Sequence, residues 1–212
     1  MMNPLKETLR PFIPQQIFNA LERRRQNKAF DEWQRNSCPD PPPHKEKQNT
    51  INEYRQKSGY SILIETGTFM GQMVEAQKTK FKKIISIEVA EDLYEKAKKR
   101  FQKDKNVLII HGDSGKVLPK IISDINEPAI FWLDGHFSAE IRIPGVKDCP
   151  IFDELDAIFN SKQFNHILLI DDAKMFIGND AYPTIENLTK YVKSKNENYN
   201  VEVKNDIIRY KI

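Results

Sequence analysis

This 212-residue chain has little cysteine: Cys38 and Cys149 stand alone and far apart. Two such residues exclude a disulfide framework and a zinc knuckle, and they fit a reducing compartment. No stretch reaches the roughly 18 apolar residues that a membrane-spanning helix needs. The first residues also lack the uninterrupted apolar run of a signal peptide. The expected location is therefore the cytoplasm. Charge of one sign is scarce too, with 33 basic against 30 acidic residues and a net charge of +3, so a general polyanion-binding role is not required. No internal repeat is visible. The Gly-x-Gly-x-x-Gly loop of dinucleotide enzymes is absent, and no Tyr-x-x-x-Lys pair stands in a suitable context. Both gaps argue against an NAD-dependent oxidoreductase or epimerase.

What is present begins at Ile62-Leu63-Ile64-Glu65-Thr66-Gly67-Thr68-Phe69-Met70-Gly71. An apolar strand ends in an acid, and a turn with two glycines opens a helix. A second strand, Ile84 to Ile87, ends in Glu88, about twenty residues beyond the turn. Strand, glycine turn, helix, strand and acid is how a Rossmann-type sheet builds a nucleoside pocket. Glycine lets the backbone come close, and the acid accepts ribose hydroxyls. Taken singly, Gly67 could be an ordinary turn and Glu88 a helix cap. Order and spacing together favour the pocket.

Residues 1–50 differ from the rest. Pro4, Pro11 and Pro14 punctuate them, a basic helix is predicted from Ile17 to Phe30, and Asp40 to Pro43 reads as an extended linker. The helix carries Ile17, Phe18, Leu21 and Arg23 to Arg25. It could rest on an anionic membrane surface, hold a partner subunit of a homo-oligomer, or pack on its own domain. From residue 51 the chain alternates regularly. A helix is predicted over 51–59, strands over 62–65, 84–88, 107–110, 129–133 and 167–171, and helices over 71–79, 91–102, 115–123, 151–160 and 183–195. A hairpin closes the chain at 201–204 and 207–212. The apolar runs 107–110 and 167–170 predict strands buried on both faces of a parallel sheet.

The span from Ile62 to Asp172 resembles the class I S-adenosylmethionine-dependent methyltransferases. The matching residues are Glu65 to Gly71, Glu88, and His111-Gly112-Asp113-Ser114. The resemblance implies an α/β, Rossmann-like fold: a seven-stranded, mostly parallel sheet with an antiparallel C-terminal hairpin and helices on both faces. It also implies that Glu65, Thr66, Gly67, Thr68 and Gly71 shape a turn around the methionine part of the cofactor. Glu88 would take the ribose hydroxyls, Asp113 and Ser114 the adenine edge, and Asp134 would flank them.

A second constellation joins Trp132-Leu133-Asp134-Gly135-His136 to Leu169-Ile170-Asp171-Asp172. Acids closing two strands should meet at one rim, where a hard cation such as Mg²⁺ would relieve their repulsion. Metal-dependent O-methyltransferases of the catechol and macrocin type place acids at these strand ends, and the chain looks like them. Asp134, Asp171 and Asp172 are the implied metal ligands. A coordinated hydroxyl ionises more readily and attacks more readily. His136 is the leading general-base candidate and Lys174 the next. A loop over 137–147, with Arg142, is expected to cover the acceptor, and 176–182 to line the other side. Cys149 could be a nucleophile but has no evident base, so a buried thiol is the simpler reading.

The expected acceptor is a small hydroxylated molecule, with a sugar or glycan precursor favoured by the macrocin-type likeness. Nucleic acid is not expected. The Asn/Asp-Pro-Pro-Tyr motif that holds an exocyclic amine is missing after the fourth strand, although Lys78 to Lys83 could touch phosphates. A non-catalytic Rossmann-type binding protein is the remaining alternative.

Overall fold

A computed structural model describes residues 15–135, 147–161, 164–179 and 181–212. The chain divides into two compact units, 1–49 and 50–212. In the first unit, α1 (Gln15–Arg35) is followed by the start of α2 (His44–Ser58). Phe18, Glu22, Gln26, Phe30 and Trp33 recur along the less exposed face of α1. Trp33 is buried and donates its indole N–H to the Pro39 carbonyl at 2.7 Å. The predicted helix over 51–59 begins earlier, at His44 directly after the prolines, because Pro is well tolerated just before a helix starts.

The second unit is a three-layer α/β/α structure. Its elements run β1 (Ile62–Thr66), α3 (Gln72–Gln77), β2 (Lys83–Glu88), α4 (Glu91–Phe101), β3 (Val107–His111), α5 (Ser114–Ser123), β4 (Ala129–Leu133), α6 (Ile151–Phe159), β5 (Ile167–Ile170), α7 (Ile185–Lys195), β6 (Asn200–Lys204) and β7 (Ile207–Lys211). A 3₁₀ turn, Ala173–Met175, follows β5. The seven strands lie in the order β3-β2-β1-β4-β5-β7-β6. β1 to β5 are parallel, and β7 enters antiparallel between β5 and β6.

Strand alternation divides the core. Ile62, Ile64, Phe131, Leu133, Leu168 and Ile170 face α5, α6 and α7. Leu63, Ile84, Ile130, Trp132 and Leu169 face α2, α3 and α4, where Ile51, Val74 and Phe101 meet them. β1, β4 and β5 are buried throughout, so their continuous apolar runs are explained by helices on both sides. β3 corrects one expectation. Its run Val107 to Ile110 predicts burial on both faces, yet β3 is the sheet edge and Leu108 is 50% exposed. A hydrophobic run reports burial only where other elements cover both faces; β3 has a single strand neighbour at the margin of the sheet, and Leu108 is left uncovered there.

The order also fixes where a ligand can sit. β1 and β4 are neighbours although their connections leave in opposite directions, and this topological switch opens a crevice at their carboxyl ends. The register places Thr66 beside Ile87 on one side and beside Leu133 on the other. The turns after β1, β2 and β4 are thereby brought to one rim.

Candidate active site

The turn after β1 is shaped from beneath. Glu65 is buried and accepts a 2.5 Å hydrogen bond from Ser86 Oγ, which is itself 2.6 Å from Thr68 Oγ1. Burial, with the nearby Glu88 charge adding to it, pushes the Glu65 carboxyl up to about 8. Gly67 has φ +86°, and a Cβ there would stand 2.3 Å from the Asp134 carbonyl oxygen. Only glycine admits both the left-handed conformation and this approach. Gly67 and Thr68 donate their N–H groups to the Ile87 carbonyl at 2.9 and 3.2 Å, which continues the β1–β2 ladder into the turn. Gly71, also left-handed, starts α3 over the Phe101 ring. Between them Phe69 adopts φ +48° and is 56% exposed.

Glu88 closes β2, and both its oxygens accept backbone amides: Phe69 N at 2.7 Å and Ala90 N at 2.9 Å. An ionised carboxylate offers about four lone-pair directions. Two are used to lock the glycine turn to β2, and the rest suit a vicinal diol. After β3, Asp113 caps α5 by accepting from Gly115 N at 3.1 Å and pairs with Lys116 at 2.9 Å. Ser114 is buried beside it and donates to Glu154 Oε1 at 2.6 Å. After β4, Asp134 donates its N–H to Thr66 at the carbonyl and the hydroxyl, each at 3.2 Å. Asp171 donates its N–H to the Leu133 carbonyl at 3.1 Å, bringing the end of β5 to the same rim.

No protein-family model and no curated protein matches the chain. Solved structures do. An O-methyltransferase from Bacillus cereus, in complex with S-adenosylhomocysteine, shares 10% identity over 88% of this chain and 90% of its own, with a TM-score of 0.56. TomG from Streptomyces achromogenes, an O-methyltransferase in complex with S-adenosylmethionine, shares 14% over 87% of both chains, with a TM-score of 0.55. The methyltransferase domain of a bacterial Hen1 shares 12% over 80% of this chain and 99% of its own, with a TM-score of 0.54. The chain has the class I methyltransferase fold.

Within that fold, the turn at Gly67 and Gly71, Glu88, and the Asp113–Ser114 corner stand at the carboxyl ends of the adjacent strands β1, β2 and β3. Their donor and acceptor chemistry fits a nucleoside with an amino-acid tail. The side chains of Glu65, Thr66 and Thr68 are all buried. Glu65 and Thr68 meet Ser86 beneath the turn, whereas Thr66, the residue after Glu65 along the strand, turns to the opposite face and accepts the Asp134 amide.

The acid rim departs further from expectation. Asp134, Asp171 and Asp172 are all present at the ends of β4 and β5, but they do not assemble as metal ligands. Among the described residues no three His, Cys, Asp or Glu side chains are grouped to hold a metal ion. Asp171 is buried, and its Oδ1 accepts the Asp172 amide at 2.9 Å. Asp172 sits at φ +53°, starting the 3₁₀ turn. The donor set for Mg²⁺ is therefore not met by these residues.

Lys174 is ion-paired. Its Nζ lies 2.7 Å from Asp206 Oδ2, and its backbone N–H donates to Asp206 Oδ1 at 2.8 Å. His136 and Arg142 lie outside the described residues, as does most of 137–147. Phe176 and Tyr182, expected to line the acceptor side, are buried edge to face at 5.5 Å. Tyr182 still reaches the rim: burial first, then Cys149 and the charges of Asp172, Asp148 and Asp134, push its phenol up to about 12. Burial pushes the Cys149 thiol up to about 12 as well, which leaves it protonated and inert.

Two residues around the site were not anticipated from the sequence: Ser86 and Glu154. Ser86 could have been suspected as the polar residue interrupting the apolar run Ile84 to Ile87 of β2. Nothing local marks Glu154.

Proposed function

We propose that this protein transfers a methyl group from S-adenosylmethionine to a hydroxyl oxygen of a small acceptor, with a sugar or glycan precursor as the favoured class. The observation that carries this reading is the gathering of the Gly67 turn, Glu88 and the Asp113–Ser114 corner at one crevice of a methyltransferase fold. The bound cofactor supplies an electrophilic methyl group on a sulfonium. The protein's own residues supply the placement. The turn fixes the amino-acid tail, Glu88 accepts the ribose hydroxyls while holding Phe69, and Asp134 lies across the turn from the Gly67 backbone. Positioning of this kind accounts for much of the acceleration in a displacement whose leaving group is already good. The missing Asn/Asp-Pro-Pro-Tyr motif supports oxygen over nitrogen as the acceptor atom. Lys78, in the basic segment that could have met phosphates, is paired with Glu75 and Asp104, each at 3.2 Å.

Calorimetric titration tests the reading directly. S-adenosylhomocysteine should bind at micromolar levels or tighter and NAD should not bind. Radiolabelled methyl from S-adenosylmethionine should then appear on hydroxylated sugars. Label found only on amines or nucleic acid would move the assignment to the other class. Binding without transfer to any acceptor would favour a non-catalytic binding protein.

A second reading concerns α1. Ile17 and Leu21 are 53% and 51% exposed on one face, with Ala20 and Arg24 beside them and Arg23 and Arg25 adjoining. Apolar side chains next to a basic cluster favour an anionic membrane surface. Sedimentation with vesicles rich in anionic lipid, lost on Leu21→Glu, is the expected outcome.

A further inference from the structure

Beneath the rim of the candidate site lies a carboxylate that cofactor contacts alone do not explain. Glu154 comes from the first turn of α6 and is 0% exposed. Its Oε1 accepts the Ser114 hydroxyl at 2.6 Å, and its Oε2 is buried with no hydrogen-bond partner. A Cβ placed on Gly135 would stand 2.9 Å from Glu154 Oε1, 3.2 Å from Thr66 Oγ1 and 3.4 Å from Ser114 Oγ. Three oxygens from three separate segments therefore converge under one glycine. Thr66 Oγ1 also accepts the Asp134 amide at 3.2 Å. The ends of β1, β3 and β4 are thus joined through a single buried side chain.

This is a costly place for a carboxyl group. Burial pushes it up to about 7, against the opposing pull of hydrogen bonds from Ser114 and Thr66. A leucine would fill the space without that cost. What leucine would not supply is an acceptor for the Ser114 hydroxyl. With that acceptor present, the Ser114 side chain is held, and so is the backbone of the first turn of α5, where Asp113 caps Gly115 N.

We propose that Glu154 is a positioning residue for nucleobase recognition: through Ser114 it sets the corner that reads the adenine edge, and beneath Gly135 it sets the width of the same pocket. The inference rests on the cofactor reading above.

The test uses S-adenosylhomocysteine and its deaminated, inosine-containing counterpart, which differ only where the base edge carries an amino group or a carbonyl. The wild-type chain should prefer the adenine form by about tenfold or more, since reversing a donor leaves a buried partner unpaired. Glu154→Leu should lower affinity for the adenine form about tenfold and bring the two ligands within about threefold of each other. Glu154→Gln, which keeps an oxygen for Ser114, should recover most of the preference. A purely structural role would lower both affinities together and leave their ratio alone. A folded Glu154→Leu chain with the wild-type ratio overturns the proposal. If that variant does not fold, Ser114→Ala decides from the other end of the bond, and an unchanged ratio overturns the proposal equally. A wild-type chain that binds both ligands alike overturns the inference while leaving the cofactor reading intact. Failure of the wild type to bind S-adenosylhomocysteine overturns the cofactor reading itself.

Discussion

Gly67 shows how much one residue can decide. Its φ of +86° costs an L-residue about 1–2 kcal/mol, and the 2.3 Å approach to a backbone oxygen cannot be relieved by a rotamer change. Gly67→Ala should abolish measurable S-adenosylhomocysteine binding. Gly59 is the control: its φ is +75° but nothing lies within 4 Å of where a Cβ would stand, so Gly59→Ala should cost only the conformational term and leave binding intact. Glu88→Ala removes the acceptor for two amides and, on the proposed reading, for the ribose. It should weaken binding by roughly 30-fold or more, and unchanged affinity in calorimetry would contradict that role. Gly67 and Glu88 were legible in the sequence because strand, turn and acid are consecutive, so spacing alone conveys their geometry. Glu154 was not, since its importance depends on which face of α6 meets the ends of three distant strands. The roles of Asp171 and Lys174 were hidden for a related reason. A side chain's partner, here the Asp172 amide or Asp206, is a matter of direction, which order along the chain does not record.

At the level of elements, every strand of the sheet could be anticipated, because apolar runs bounded by turn residues leave few alternatives. Burial was harder to read. β5 and β3 carry similar runs, yet one is central and the other an edge, and only topology separates them. The 3₁₀ turn after β5 depends on a contact equally remote in sequence. Asp206, between β6 and β7, accepts the Lys174 N–H and pairs with its ammonium, while its own carbonyl accepts the Ala173 N–H at 2.9 Å. Its carboxylate is nearly buried, so Asp206→Ala should cost about 2 kcal/mol and lower the urea midpoint accordingly. A variant with an unchanged midpoint would show that this link contributes little.

For the molecule as a whole, buried titratable groups set opposing demands. Glu65 and Glu154 are held at about 8 and 7 in the fold, above the usual carboxylate value of 4.5. The folded state keeps their protons longer than the unfolded chain does, so their contribution is full below pH 4.5 and is lost as pH rises toward 8. His166 works the other way. Burial lowers it to about 4, and its Nδ1 accepts the Ala129 N–H at 3.1 Å. Its contribution is full above pH 6.5 and is lost as pH falls through 4, with a magnitude of roughly 3 kcal/mol. Two carboxyls outweigh one imidazole above pH 4.5, so on these groups thermal stability should decline as pH rises from about 5 toward 8. Glu65→Gln and Glu154→Gln should flatten the alkaline side, and an unaltered profile in both variants would refute the assignment.

The placement of β7 between β5 and β6 also has a consequence in time. A ribosome delivers the chain in order, at about 5–20 residues per second. β1 to β5 can emerge with their glycine turn and acids already made, yet β5 keeps an unpaired side until residues 207–211 appear. Nascent chains halted short of that point should be open to proteases and unable to retain nucleoside, and competence should arrive late in synthesis as a single step.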